Sequence, residues 1–581
     1  MTAAETMMRM LTRLLVAGIL LSGLVWAQEQ DDSSGAGEAN HGVARVSLMN
    51  GDVSVQRGDS GDTVAAVVNA PLVASDHVLT GPAARAEIQF DQGNFVRLGA
   101  DTEVRLASLD NNQFQVQLGK GTITLAVIRD SAGQVEIDTP NMAFRPSQRG
   151  VYRVSVTDDG QSEVTVRVGQ GDTYTPQGTQ PVEAGQTMMV RGAVSDPEFQ
   201  VVQAIPMDDW DRWNQQRDQR LLNVRSYQYM SPDIPGGSDL DANGQWQYAA
   251  PYGWVWSPNN VGPDWAPYRD GNWTWLDYYG WSWVGWEPWG WAPYHYGRWF
   301  NRPGFGWCWY PGPLYNHYYW RPGLVAFFGF GRGVGVGVGF GSIGWVPLGP
   351  HEHYLRWYGS AGRDIHATNV TNIRNTYINA RVGNGISGVG AGAFGQGGRP
   401  GALHLTGQER MSEVRGPVPV APTAASLRMT SRSARVLPST SGRTQFYSPR
   451  TAGGSGAVPA SRGWRQVPQT GSNWRQSGQA PRTNAQSRDW RSFGQAPAPQ
   501  ARPQYTQPRS YPGGTAPRYS TTGSGGVRIN PPIVRERSQS SGSTGHSGGS
   551  GGGGGNHSSG SGGGHSSGQS SGGGGGHSHG R

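Results

Sequence analysis

The sequence predicts a mainly β protein with one linker helix and a long low-complexity C-terminal stretch. Three observations carry that expectation. Polar and apolar residues alternate from Ala44 to about Val202, an aromatic motif recurs between residues 242 and 358, and Gly and Ser dominate the end of the chain. Period-two alternation gives a strand one wet face and one buried face. The composition agrees: 90 Gly and 39 Pro among 581 residues, with 35 % hydrophobic, leave too little apolar matter for one core running the full length. The single cysteine, Cys308, excludes an intramolecular disulfide framework and a Cys-rich zinc site.

Residues 1–27 have the layout of a signal peptide. Arg9 and Arg13 precede the apolar run Leu14 to Val25, and Val25-Trp26-Ala27 offers a cleavage site before Gln28. The expected location is therefore the periplasm or cell surface, with no transmembrane span after cleavage. Residues 28–42 read as a disordered polar leader. Residues 43–203 are expected to form an all-β domain, a β-solenoid or a sandwich. Asp52-Val-Ser-Val-Gln, Glu103-Val-Arg-Leu, Gln113-Phe-Gln-Val-Gln-Leu and Glu163-Val-Thr-Val-Arg-Val alternate strictly, with Gly-containing breaks between strands.

Within this region, Gly51-Asp-Val-Ser-Val, Asp76-His-Val-Leu-Thr-Gly, Arg85-Ala-Glu-Ile-Gln-Phe-Asp-Gln-Gly-Asn-Phe-Val-Arg-Leu, Asp138-Thr-Pro-Asn, Arg149-Gly-Val-Tyr-Arg-Val and Glu183-Ala-Gly-Gln stand in order. Together they resemble the FecR-type domain. The resemblance implies an extracytoplasmic β-rich module, related to the part of iron-siderophore signalling regulators that reads an outer-membrane receptor. Those regulators carry an anti-sigma segment and a transmembrane helix ahead of the module. Here a signal peptide precedes it, so the resemblance transfers the module rather than the signalling role.

Residues 207–225 are predicted to be a linker helix. Trp210, Trp213, Arg217 and Leu221 form one stripe with charged residues opposite, and Asp208 and Asp209 suit the positive end of the helix dipole. The stripe is expected to dock one domain on the next, with Pro232 to Asp241 as a linker.

Seventeen of the 23 Trp lie between Trp246 and Trp357. Tyr252-Gly-Trp-Val-Trp recurs as Tyr279-Gly-Trp-Ser-Trp and Phe305-Gly-Trp-Cys-Trp, at steps of 27 and 26 residues. Trp265-Ala-Pro-Tyr likewise recurs as Trp291-Ala-Pro-Tyr. Such a period signals repeated supersecondary units, and Trp273-Thr-Trp is expected to pair with Trp281-Ser-Trp about Asp277-Tyr-Tyr-Gly. The block 242–358 resembles a tryptophan-rich domain of unknown function that follows FecR-like domains in secreted bacterial proteins; that family supplies no activity to carry over. Two readings of the indoles compete. They form the core of a small domain, or some of them are stacking platforms for a glycan or other polymer. The candidate stacking residues are Trp254, Trp256, Trp281, Trp283, Trp291, Tyr294, Trp299, Trp307 and Trp309.

Catalytic constellations are scarce, and the chain is read as non-enzymatic with no cofactor and no metal. Asp264, Asp270, Asp277 and Glu287 sit beside turn residues and are expected to be solvated rather than a glycosidase pair. His351-Glu-His353 offers two imidazoles without a third ligand, and Gly331-Arg-Gly-Val-Gly lacks the strand-to-helix context of a phosphate loop. Residues 359–430 read as a partly ordered extension and 431–581 as a disordered basic tail. That tail has 17 Arg against Asp489 and Glu536. Trp464-Arg-Gln, Trp474-Arg-Gln and Trp490-Arg-Ser mix indoles with guanidinium groups, a composition suited to an anionic polymer rather than a specific nucleic acid. The main functional expectation is an exported scaffold that binds an envelope polymer, such as wall glycan or lipopolysaccharide, or a periplasmic or outer-membrane protein. The alternative is a FecR-type regulatory adaptor contacting an outer-membrane partner, and a wall-polymer hydrolase is a third.

Overall fold

The alternating segments pair into two sheets that face each other across one core. The computed structural model describes residues 41–110, 112–331, 340–359, 366–369, 373–403, 411–438, 444–449 and 491–492. Residues 1–40, which include the stretches read as a signal peptide and a leader, and most of residues 431–581 lie outside the described residues. The described chain is mainly β, as expected.

Of the two arrangements open to the first domain, the sandwich is realised. The first sheet holds Ala44–Asn50, Arg85–Gln89, Asn94–Leu98, Gly150–Val156, Ser162–Val168, Gln186–Arg191 and Glu198–Gln203. The second holds Val53–Gln56, His77–Thr80, Glu103–Ser108, Gln134–Asp138, Ala143–Pro146, Gln170–Thr175 and Gly178–Glu183. One long strand, Gln113–Val127, belongs to both: its first half pairs with Glu103–Ser108 and its second with Asn94–Leu98 and Gly150–Val156. The crossing runs through Gly119-Lys120-Gly121. Gly121 has φ +91°, and a Cβ there would stand 2.4 Å from Thr102 Oγ1, so only glycine makes this corner. Nearly every pairing is antiparallel, the exception being Gln113–Gln117 beside Gln134–Asp138. A solenoid would need stacked parallel coils. Val46, Ile88, Val96, Ile123 and Val154 from one sheet meet Val55, Val78, Val104, Val116 and Ile137 from the other in one buried cluster.

The linker helix spans Asp209–Leu222. Asp208 caps it, accepting from the Asp211 N–H while the Asp211 carboxylate accepts from the Asp208 N–H. Its docking face holds the expected stripe and adds acids to it: Trp210 Nε1 donates to Thr124 Oγ1 at 2.9 Å, Arg85 and Arg97 lie over the Trp213 ring, and Arg217 pairs with Glu87 at 2.7 Å. The fully buried residues are Asp211, Asn214, Asp218 and Leu221, whereas Trp210 and Trp213 are half-buried. The sheet beneath explains why: its outer face presents Glu87, Arg97, Arg153 and Arg167, so charges on the helix find partners there. Arg97 reaches Asp218 at 2.6 Å and Glu87 at 2.8 Å, and Arg167 reaches Asp211 at 2.6 Å. The expected linker 232–241 contains the start of a short helix, Gly237–Asn243.

Beyond it, each copy of the aromatic motif is the second strand of a hairpin. Gly244–Ala249 pairs with Gly253–Pro258, Gly271–Leu276 with Gly280–Gly285, and Arg298–Arg302 with Gly306–Tyr310. The expected hairpin about Asp277 is present, with Trp273 opposite Trp283 and Trp275 opposite Trp281. The motif glycines Gly253, Gly280 and Gly306 have φ of +89°, +65° and +81°. A Cβ on Gly253 or Gly306 would meet nothing within 4 Å, so backbone conformation rather than space demands glycine there. Trp256 opposite Trp309 joins the first and third hairpins into a four-stranded sheet. A further sheet pairs Val325–Phe330 and Ser342–Pro347 with Met411–Arg415 and Ser387–Gly390, so part of 359–430 completes the aromatic domain.

Candidate functional site: a polar cleft on the sandwich

Of the aromatic residues read as stacking candidates, Trp256, Trp281, Trp283, Trp291, Tyr294, Trp299, Trp307 and Trp309 are buried, the most accessible being Trp307 at 6 %. This corrects the platform reading for those eight, because an indole enclosed on both faces offers none to a ligand. Packing fixes their orientations. Trp256, Trp299 and Trp309 donate through Nε1 to the carbonyls of Leu240, Pro293 and Tyr296 at 3.1, 2.8 and 2.8 Å. The two Trp-Ala-Pro-Tyr copies interlock, with Tyr268 Oη donating to the Tyr294 carbonyl at 2.7 Å. Trp254 differs. It is 43 % exposed, beside Tyr229 at a ring separation of 4.5 Å and Tyr248 at 6.1 Å.

Glu287 also departs from expectation. Its carboxyl group is buried, accepting from Trp265 Nε1 at 3.1 Å and Tyr294 Oη at 2.6 Å, and burial pushes it up to about 7. A turn position beside Pro288 suggested solvent, but the two interlocked repeats close over it. His351 and His353 gather no third ligand: among the described residues no three His, Cys, Asp or Glu side chains group as a metal ion would require.

A cleft of about 1070 Å³ lies on the outer face of the second sheet. Strand register builds it. His77 stands opposite Arg105 and Arg105 opposite Gln117, so outward polar positions of three adjacent strands form one row. Glu103 lies 3.7 Å from His77, and Lys120 lines the cleft near Asp158. Arg57 closes the floor, with its side chain fully buried and paired to Asp76 at 2.9 Å. Asp76 also accepts from the Val73 and Gly58 N–H groups, each at 3.0 Å, so the pair is held rigidly. Alternation marks these residues as outward; their gathering depends on register, which the sequence pattern leaves open.

A distant segment crosses the same face. The Val436 N–H donates to Ser54 Oγ, Pro438 and Phe446 line the cleft, and the Tyr447 N–H donates to the Thr139 carbonyl. Ser448 Oγ donates to Glu136 at 2.8 Å and accepts from Gln115 at 2.8 Å, while Gln115 also donates to Asp138 at 2.6 Å. Under this strap two neighbouring carboxylates of an outward strand face are fully buried. Burial, then the adjacent Glu136 carboxylate, pushes Asp138 up to about 8.

Residues 76–170 match the family model described as FecR protein, and residues 237–352 match a family of unknown function, DUF6600. Two crystal structures of a candidate anti-sigma factor from Parabacteroides distasonis are similar at 16 % and 15 % identity, with TM-scores of 0.20 and 0.19. Each similarity covers 22 % of this chain and 59 % of that protein, so the chain spans less than two thirds of that protein's length. No curated protein matches the chain.

Proposed function

We propose that this chain, in which a FecR module precedes a DUF6600 domain, is a regulatory adaptor of the cell envelope whose sandwich engages a protein partner. The match over residues 76–170 carries the reading, because it coincides with the strands that supply His77, Glu103, Arg105, Gln117 and Lys120 to the cleft. Such a surface suits a protein: it is broad, mixed in charge and built on rigid strands, with the fixed Arg57–Asp76 pair beneath it. The proposal includes export, on the strength of residues 1–27. It assigns the chain no catalytic step, and the partner docks at the row His77–Arg105–Gln117.

A photo-crosslinking residue at Lys120 or Gln117, in cells of the native host, tests this. A discrete adduct with one envelope protein is expected, absent when the crosslinker replaces Glu183. Equal labelling at all three positions would overturn the adaptor reading.

Trp254, with Tyr248 at 66 % exposure, favours the scaffold as a second reading. A polymer ligand would stack there, so Trp254→Ala/Tyr248→Ala should abolish co-sedimentation of the full chain with purified peptidoglycan or lipopolysaccharide. Unchanged sedimentation, or none by the parent chain, would reject it.

A further inference from the structure

The last long strand on one side of the helix-bearing sheet is Glu198–Gln203. On one flank it pairs with Gln186–Arg191, from Gln186 opposite Gln203 to Arg191 opposite Glu198. On its other flank a remote piece of chain adds antiparallel: Ser492 stands opposite Glu198 and Arg491 opposite Phe199. Those two residues belong to Trp490-Arg491-Ser492, the last of the three Trp-Arg-polar motifs of the basic tail.

We propose that the edge Glu198–Gln203 is a β-addition site for these motifs, which this chain's own tail supplies one at a time. The edge strand offers a row of backbone donors and acceptors that a strand can satisfy regardless of its side chains. Most of the tail cannot compete for it, since Gly, Pro and Ser have low strand propensity. The three motifs are the places where an indole interrupts that composition. The register that sets Ser492 opposite Glu198 brings the Trp position of a motif opposite Gln200, on the face that carries the half-buried Val202, so an indole there has an apolar neighbour. Successive motifs are 10 and 16 residues apart. An extended chain reaches about 3.3–3.6 Å per residue, so a neighbouring motif can take the place of the one it follows. Tethering keeps the local concentration of all three high. The edge is thereby covered by a replaceable strand, independently of what binds the cleft on the other sheet.

Cysteine pairs in the full chain test the assignment, with the buried Cys308 left in place. Glu198→Cys with Ser492→Cys should close an intrachain disulfide at least about fivefold faster than Glu198→Cys with Thr470→Cys, which lies between motifs. Adding Arg491→Pro, which removes a backbone donor, should then speed closure from Glu198→Cys to Gln466→Cys or Gln476→Cys. Peptide mapping under non-reducing conditions reads each product. Equal rates at Ser492 and Thr470 would overturn the site. No gain at Gln466 or Gln476 on adding Arg491→Pro would overturn the interchange of motifs. A covalent dimer in place of the intrachain loop would assign the strand to a second copy and overturn the in-chain occupant.

Discussion

Two buried carboxylates respond to pH in opposite directions. Glu87 is fully buried, and burial alone would raise it. The Arg97 and Arg217 guanidinium groups outweigh that cost and hold it at about 2. Its contribution to stability is complete above the ordinary glutamate range and is lost as pH falls toward 2. Glu287 has no cation in contact, so burial prevails and its proton is retained to about 7. Its stabilising state is complete below about pH 4.5 and is lost as pH rises through 7. Glu287→Gln keeps both hydrogen-bond partners and should remove that decline, leaving the variant more stable at pH 8 by up to about 3 kcal/mol. Glu87→Gln should destabilise at neutral pH by about 3–5 kcal/mol, because two buried guanidinium groups lose their counter-charge. Urea unfolding from pH 4 to 8 measures both; parallel curves for Glu287→Gln and the parent would contradict the assignment. The sequence showed Glu87 as one of several alternating polar residues. Its burial follows from the helix that covers it.

At the scale of elements, the aromatic hairpins separate two uses of glycine. Gly306 needs its positive φ and has open space around it, so Gly306→Ala should cost about 1–2 kcal/mol. At Gly271 a Cβ would lie 2.5 Å from Trp283 Cζ2 and from the Val284 carbonyl, and Gly271→Ala should cost more by forcing the indole core apart. Thermal melts followed by near-ultraviolet circular dichroism distinguish them: only the second should lose tryptophan signal before unfolding. The strap over the second sheet offers a further expectation. Asp138 and Glu136 face Arg145, Gln115 and Ser448, with Tyr447 nearby. As pH rises through about 8 the pair gains a second negative charge, and the strap should loosen. Proteolysis at Phe446 should quicken between pH 7 and 9 in the parent, and far less in Asp138→Asn. The hairpins were legible because Trp-x-Trp and a turn glycine are local signals. The strap was not, since nothing near Ser448 in sequence points to Glu136.

At the scale of the molecule, a buried arginine joins the sandwich to the aromatic domain. Arg45, 1 % exposed, reaches Asp239 at 2.7 Å, Gln89 at 2.8 Å and Asn69 at 2.8 Å, and Asn69 donates to the Glu287 carbonyl at 2.8 Å. Val284 and Met429 enter the sandwich's own core cluster. The two parts should therefore unfold together. Arg45→Leu, which leaves Asp239 without its cation, should split one calorimetric transition into two; a single transition at lower temperature would show that apolar contacts alone couple them.

The sequence by itself determined the alternating strands between residues 44 and 203, where the longer helix lies, and which glycines turn the aromatic hairpins. These follow from periodicity and backbone sterics that act within a few residues. Tertiary structure decided the sandwich over the solenoid, the buried acids that join the helix's docking stripe, and core over platform for eight of nine candidate aromatics. It also brought His77, Arg105 and Gln117 into one cleft. Each of these depends on strand register and on what covers a face. Alternation says only that a residue points away from its own strand's core, and a second layer can bury it again.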